Sequence, residues 1–338
     1  ITVAQGSLSA STGYALAFNS AGLLTVTPRA VTVTASSGQG KVYGNVDPTL
    51  TYAVTAGSLV GADTLSGSLG RAAGENVGNY AINRGTLANP NYAVSFVGSN
   101  FGVTPRAVTV TASAGQSKVY GNVDPALAYT VTAGSLLGGD SLSGSLGRAA
   151  GENVGNYAIN QGTLANPNYA VSFVGSNFGI TPRAVTVSAT AGQSKTYGDA
   201  DPTLAYTVTA GSLAFADSFS GSLSRAAGEN VGNYAINQGS LALNANYTLS
   251  YAGSNFGITP RAVTVSATAG QGKVYGNADA ALAYTVTAGN LVGADAFSGA
   301  LSRAAGENVG NYAINQGSLA LNANYTLSYA GSNFGITP

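Results

Sequence analysis

The stretch Thr104-Pro105-Arg106-Ala107-Val108-Thr109-Val110 recurs almost unchanged at 27–33, 181–187 and 259–265, and the chain reaches Thr337-Pro338 once more. From proline to proline (Pro28, Pro105, Pro182, Pro260, Pro338) the step is 77 or 78 residues. Self-similarity at a fixed step means that one small folding unit is copied along the chain, which excludes a single large core. Four full repeats follow: 29–105, 106–182, 183–260 and 261–338. Residues 1–28 align with the end of the last repeat, so they read as the C-terminal part of a truncated one, and the chain is expected to be a piece of a longer repetitive protein. The first two repeats differ at about ten positions and the last two share the run 241–251 at 319–329, the mark of recent duplication.

Inside a repeat the apolar period is two. Val108 and Val110 alternate with Thr109 and Thr111, Leu127, Tyr129 and Val131 with Ala128, Thr130 and Thr132, and Tyr169, Val171 and Phe173 with Ala170 and Ser172. Each run reads as a half-buried strand. Shorter runs at 118–120, 141–147, 156–161 and 178–180 lie between Gly, Asn, Asp and Pro, the punctuation of turns, and about seven strands fit in each repeat. The best helical stretch, 146–153, is broken by Gly147 and Gly151 and allows a turn or two, in which Arg148 and Glu152 would pair at i,i+4. The expected fold is therefore all-β: a tandem array of small Ig-like β-sandwich domains, with β-grasp-related repeats as the alternative.

The joints set the expected shape. Pro105 has no N–H, holds Thr104 extended and is followed at once by the next strand, so repeats abut without a Gly/Ser coil. A stiff, elongated rod is expected, each repeat adding on the order of 25–40 Å.

Composition narrows the chemistry. Charged residues are 8% of the 338, with 13 Lys+Arg balancing 13 Asp+Glu, against roughly 25% in an ordinary domain. A neutral chain without a basic cluster lacks the electrostatic footprint of a nucleic-acid binder, and no stretch approaches the ~20 apolar residues of a membrane span. With no His and no Cys, the usual ligands for zinc, copper and iron are missing, as are Ser-His-Asp and Cys-His arrangements. No enzyme activity is expected, and no catalytic, cofactor-binding or metal residue is assigned. The metal left open is Ca²⁺ at the repeat junctions, where Asp199-Ala200-Asp201 is the close acidic pair.

A lysine followed by Tyr-Gly-X stands once in each repeat, at 41–45, 118–122, 195–199 and 273–277, with an acid two residues on (Asp47, Asp124, Asp201, Asp279). The physical reading is a turn in which Gly takes a positive φ, the acid and a following proline start the next bend, and the tyrosine caps the core. Lys41, Lys118, Lys195 and Lys273 also recur beside Asn100, Asn177, Asn255 and Asn333 and the acids Glu75, Glu152, Glu229 and Glu307, the ingredients of an intramolecular Lys–Asn isopeptide bond. The plainer expectation is a lysine stem lying over a tyrosine with its amine in water. Asn246-Tyr-Thr248 and Asn324-Tyr-Thr326 match the glycosylation sequon, read here as accidental.

Together, the Tyr-Gly-X element, the Arg-Ala-Val-Thr-Val opening, the Gly-Glu-Asn-Val-Gly-Asn-Tyr-Ala-Ile stretch (74–82, 151–159, 228–236, 306–314) and the closing Gly-Ile-Thr-Pro resemble the MBG domain of Tyr-Gly-X type along the whole chain. The resemblance implies a place in long arrays of bacterial surface proteins, including large adhesins of the filamentous haemagglutinin type exported by two-partner secretion. It carries no catalytic motif. The expected function is a structural stalk that projects a distal binding region for attachment and biofilm formation, extracellular, on the cell surface or in the biofilm matrix. Its expected partners are the neighbouring repeats, other rods or extracellular polysaccharide. The alternatives are a multivalent glycan-binding module and a laterally bundling matrix fibre.

Overall fold

The computed structural model describes Gly6 and residues 26–338, so the truncated repeat assigned to 1–28 lies almost wholly outside the described residues. Those residues are all-β without a helix, and their 28 strands fall seven to a repeat. In the first repeat these are β1 (Arg29–Ala35), β2 (Gly40–Val42), β3 (Tyr52–Ala56), β4 (Gly70–Arg71), β5 (Gly78–Asn83), β6 (Tyr92–Val97) and β7 (Asn100–Thr104).

They form two small mixed sheets, β3-β1-β6 and β2-β7-β5-β4. β1 runs antiparallel to β3 and parallel to β6, with Val31 beside Val94 and Val33 beside Phe96, and β2 runs parallel to β7. The third and fourth repeats repeat both sheets. In the second, Arg106–Ala112 pairs with Tyr129–Ala133 and Tyr169–Val174 in the same way. By internal packing the chain forms two compact units. One holds the first repeat and the body of the second; the other holds 117–124, 151–155 and everything from 179 on.

The period-two reading places the core correctly. Val31, Val33 and Ala35 on β1 are buried while Thr32 and Thr34 between them are not. Val33 and Ala35 share a cluster with Ile82 of β5 and with Phe101 and Val103 of β7, so the core lies between the two sheets. Leu65, Leu69 and Leu87, from loops, complete it. The stretch 146–153 makes no helical turn: it holds the two-residue strand Gly147–Arg148 and then a loop. In the first repeat the equivalents Arg71 and Glu75 do pair across four residues, 2.6 Å apart, on a strand end and the loop that follows it.

Candidate functional site

Two sets of recurring side chains carry the polar chemistry of this fold. The first is an ion cluster inside each repeat. Lys41 bonds to Asp47 at 2.6 Å and to Glu75, and Arg71 bonds to the same two acids at 2.5 and 2.6 Å. The Arg71 guanidinium also stands over the rings of Tyr80 and Phe101, 5.2 and 5.1 Å from their centroids. Residues Lys195, Asp201, Arg225 and Glu229, and again Lys273, Asp279, Arg303 and Glu307, repeat the arrangement. In the second repeat Lys118 is paired with Asp124 and Glu152.

This corrects one expectation. The lysine does not snorkel over a tyrosine: its side chain is only 5% exposed, and the cation over the ring is Arg71. Its neighbours are Asp47 and Glu75, while Asn100 faces Ala81 across β5 and β7. Arg71 first and Lys41 second hold the Asp47 carboxyl down at about 2, and Asp47 and Glu75 push the Lys41 amine up.

The second set joins one repeat to the next, and it is built from the Tyr-Gly-X element. Tyr43 of the first repeat donates its hydroxyl to Asp140 of the second at 3.1 Å, and the second repeat's own Tyr169 donates to the same carboxylate at 2.5 Å. The two rings meet edge to face at 5.6 Å. The tyrosine thus packs on its own core, as expected of a cap, but its polar end belongs to the neighbour. Tyr120, Asp217 and Tyr247 repeat the arrangement, as do Tyr197, Asp295 and Tyr325.

The glycine is required for two reasons. Gly44, Gly121 and Gly198 have φ of 79°, 79° and 83°, where a Cβ is strained. An apolar knob from the following repeat also presses on each. A Cβ on Gly44 would lie 2.0 Å from Leu137, on Gly121 2.3 Å from Ala214, and on Gly198 2.3 Å from Val292. The third residue of the motif receives the arginine that opens the next repeat. Arg183 donates to the Tyr120 carbonyl at 2.8 Å and to Asn122 at 2.7 Å, and Arg261 pairs with Asp199.

The Gly-Glu-Asn-Val stretch supplies a second point of attachment. Asn168 accepts from the Val77 N–H at 2.9 Å and donates to Asn76 at 3.0 Å, and Asn246 and Asn324 do the same for Val154 and Val231. Both sequon asparagines are therefore junction residues, with their amides committed to Asn153 and Asn230. As for the acidic pair Asp199 and Asp201, the first is paired with Arg261 and the second with Lys195 and Arg225. Among the described residues no group of three or more His, Cys, Asp or Glu is arranged to hold a metal ion.

An open groove of about 490 Å³ lies on the four-stranded sheet of the first repeat, with Gly40, Lys41, Gly102, Asn79, Asn100 and Thr104 in its lining, and the fourth repeat has its equivalent.

These features define a tandem array of β-domains whose recurring motifs are spent on binding one another. The MBG domain of Tyr-Gly-X type matches at 31–102, 108–179, 185–257 and 263–335, and the chain belongs to that family. No curated protein matches it.

Proposed function

We propose that this chain is a structural stalk segment of a long secreted bacterial adhesin, a row of Ig-like sandwiches forming an elongated rod that projects a distal binding region from the cell surface. The observation that supports this reading is the use of the Tyr-Gly-X element. Its ring, its glycine and its third residue all receive the next repeat. A joint held by a glycine socket, a shared carboxylate and an arginine clamp resists bending in more than one direction, as a spacer requires. Labels placed in the first and last repeats of arrays of two, three and four repeats test the reading. A spacer gives a separation that grows in proportion to repeat number; growth with its square root, the behaviour of a flexible chain, overturns it.

The amide-lined groove favours a second reading, a glycan-binding module in which each repeat grips weakly and avidity supplies the affinity. That reading requires polysaccharide binding that climbs with repeat number.

A further inference from the structure

The repeats differ chemically at one place on their surface. In the first two, Asn83 and Asn160 turn their carboxamides back to accept from the N–H of Gly85 and Gly162, at 3.0 and 3.1 Å. Gly70 and Gly147 stand opposite these asparagines, and a Cβ on either would come within 2.8 and 2.7 Å of the amide oxygen. The third and fourth repeats carry Ser224 and Ser302 there, opposite Asn237 and Asn315. The serine Cβ takes the place of the amide oxygen, and among the described residues the side chains of Asn237 and Asn315 have no hydrogen-bond partner. A second exchange falls beside the first. Where the first two repeats have Phe96 and Phe173, these two have Tyr251 and Tyr329, whose hydroxyls donate to the carbonyls of Ile236 and Ile314 at 2.9 Å.

In the third repeat the exchanged side chains meet. Asn237, Tyr251, Ser254 and Asn255 line an open groove of about 620 Å³ with Gly192 and Gly253. Asn255 is the equivalent of Asn100, so this groove extends the amide-lined one of the first repeat to a tyrosine and a second free amide. The fourth repeat has the same set in Asn315, Tyr329, Ser332 and Asn333.

We propose that this groove and its fourth-repeat equivalent each hold one unit of a neutral polysaccharide. The proposal rests on the glycan-binding reading and confines the stronger grip to two of the four repeats. A carboxamide donates through Nδ2 and accepts through Oδ1, which suits neighbouring sugar hydroxyls that do both. The tyrosine ring adds an apolar wall for the C–H face of a pyranose, and its own hydroxyl is already committed to Ile236. No charged residue lines the groove, so an ion or an acidic sugar finds no counter-charge there. Its volume falls within the range of small-ligand clefts.

Binding of the full chain to immobilised dextran, mixed-linkage β-glucan and galactomannan, read by biolayer interferometry, tests this, with polygalacturonate as the acidic comparison. The expected result is binding to at least one neutral polymer and none to polygalacturonate. Ser224→Gly with Ser302→Gly gives the amides back to their turns, using the residue that the first two repeats already have. It should weaken binding by about tenfold or more, as two lost amide hydrogen bonds imply. Gly70→Ser with Phe96→Tyr builds a further site in the first repeat and should tighten binding through avidity. Circular dichroism checks that both variants stay folded. Binding unchanged by the serine-to-glycine pair would overturn the site while leaving the glycan-binding reading in place. A chain that binds none of the neutral polymers, or polygalacturonate alone, would overturn both.

Discussion

The hydroxyl of Tyr197 and the carboxylate of Asp295 sit 98 residues apart in the chain, in different repeats, and form a hydrogen bond of 3.0 Å. The contact sits against a T-shaped pair, Tyr197 with Tyr325 at 5.5 Å, and each of the other two junctions has its counterpart. A hydrogen bond to a charged acceptor contributes about 1.5–3 kcal/mol. Tyr197→Phe keeps the ring and removes the bond, so it is expected to weaken the coupling of the third and fourth repeats. Tyr275→Phe, on a ring that is 59% exposed, should be silent. Comparing the thermal unfolding of the two variants checks this.

Gly198 and Gly276 offer a matched pair, since their φ values are 83° and 84° while only the first is capped by a neighbour. An alanine at Gly276 meets the backbone strain alone, about 1–2 kcal/mol. An alanine at Gly198 meets the same strain and also the Val292 side chain, whose forced shift adds about 1–3 kcal/mol. The excess for Gly198→Ala over Gly276→Ala in denaturant titrations measures the knob-and-socket contact. Equal losses would mean that the glycine serves the turn alone.

Strand parity and the step between repeats were legible in the sequence because both are local: Val108 and Val110 announce their burial by alternation. The partner of the Tyr-Gly-X tyrosine was not. Near-identical repeats place an aspartate both ahead in the same repeat (Asp63 for Tyr43) and in the next one (Asp140), and a pattern read along one chain weighs the two equally. Topology decides between them, with Tyr43 reaching forward and Tyr92 taking Asp63. The ion cluster was hidden for a related reason. Asp47 reads as a turn residue, and only the fold brings Arg71 to it across a gap of 24 residues.

Phe215 occupies the place of Gly61 and Gly293 and keeps their left-handed backbone, with a φ of 52° that no other described non-glycine residue has above zero. It is 69% exposed, yet its ring meets Tyr120 edge to face at 5.4 Å. Beside it the knob is Ala214, smaller than Leu137 or Val292, so the ring covers what the shorter side chain leaves open. The strain is about 1–2 kcal/mol and the aromatic contact about 0.5–1.5 kcal/mol, so the two nearly cancel. Phe215→Gly alone is therefore expected to change stability little while exposing Tyr120. The pair Ala214→Val with Phe215→Gly, which reproduces the fourth repeat, should be more stable than either single change. Melting temperatures with tyrosine fluorescence would show both.

Acid and alkali should act on different parts. Asp47 and Asp201 fall from an ordinary 3.8 to about 2, through Arg71 and Lys41 in one case and Arg225 and Lys195 in the other. Their folded pKa lies below the unfolded one, so their stabilisation is complete above about 3.8 and is lost as pH falls towards 2. Tyr43 is raised by withdrawal from water and then by Asp140, and Tyr197 by Asp295 and then by withdrawal from water. A raised folded pKa gives stabilisation that is complete below the ordinary 10 and is lost as pH climbs through the folded value. Circular dichroism should therefore show repeats losing stability between pH 4 and 2. Above pH 10 the junctions should loosen as tyrosine absorbance rises. Asp201→Asn should remove part of the acid response and leave the alkaline one unchanged.

The sequon asparagines make the junctions unequal in a glycosylating host. Asn246 and Asn324 precede Tyr-Thr, whereas Asn168, which does the same work at the first junction, precedes Tyr-Ala and is no acceptor. A glycan on Asn246 would replace a hydrogen of the amide that Asn153 receives at 3.0 Å, and its bulk would stand where Val154 docks. Secretion from a eukaryotic cell is thus expected to give a chain in which the second and third junctions are cut by protease much faster than the first. Asn246→Gln with Asn324→Gln would block the glycan but shift the amide by a methylene, leaving the junctions weakened. Thr248→Ala with Thr326→Ala would block it and keep both asparagines, so protease resistance should return. If the glycosylated chain resisted cleavage as well as the bacterial product, the amides of Asn246 and Asn324 would not be holding the repeats together.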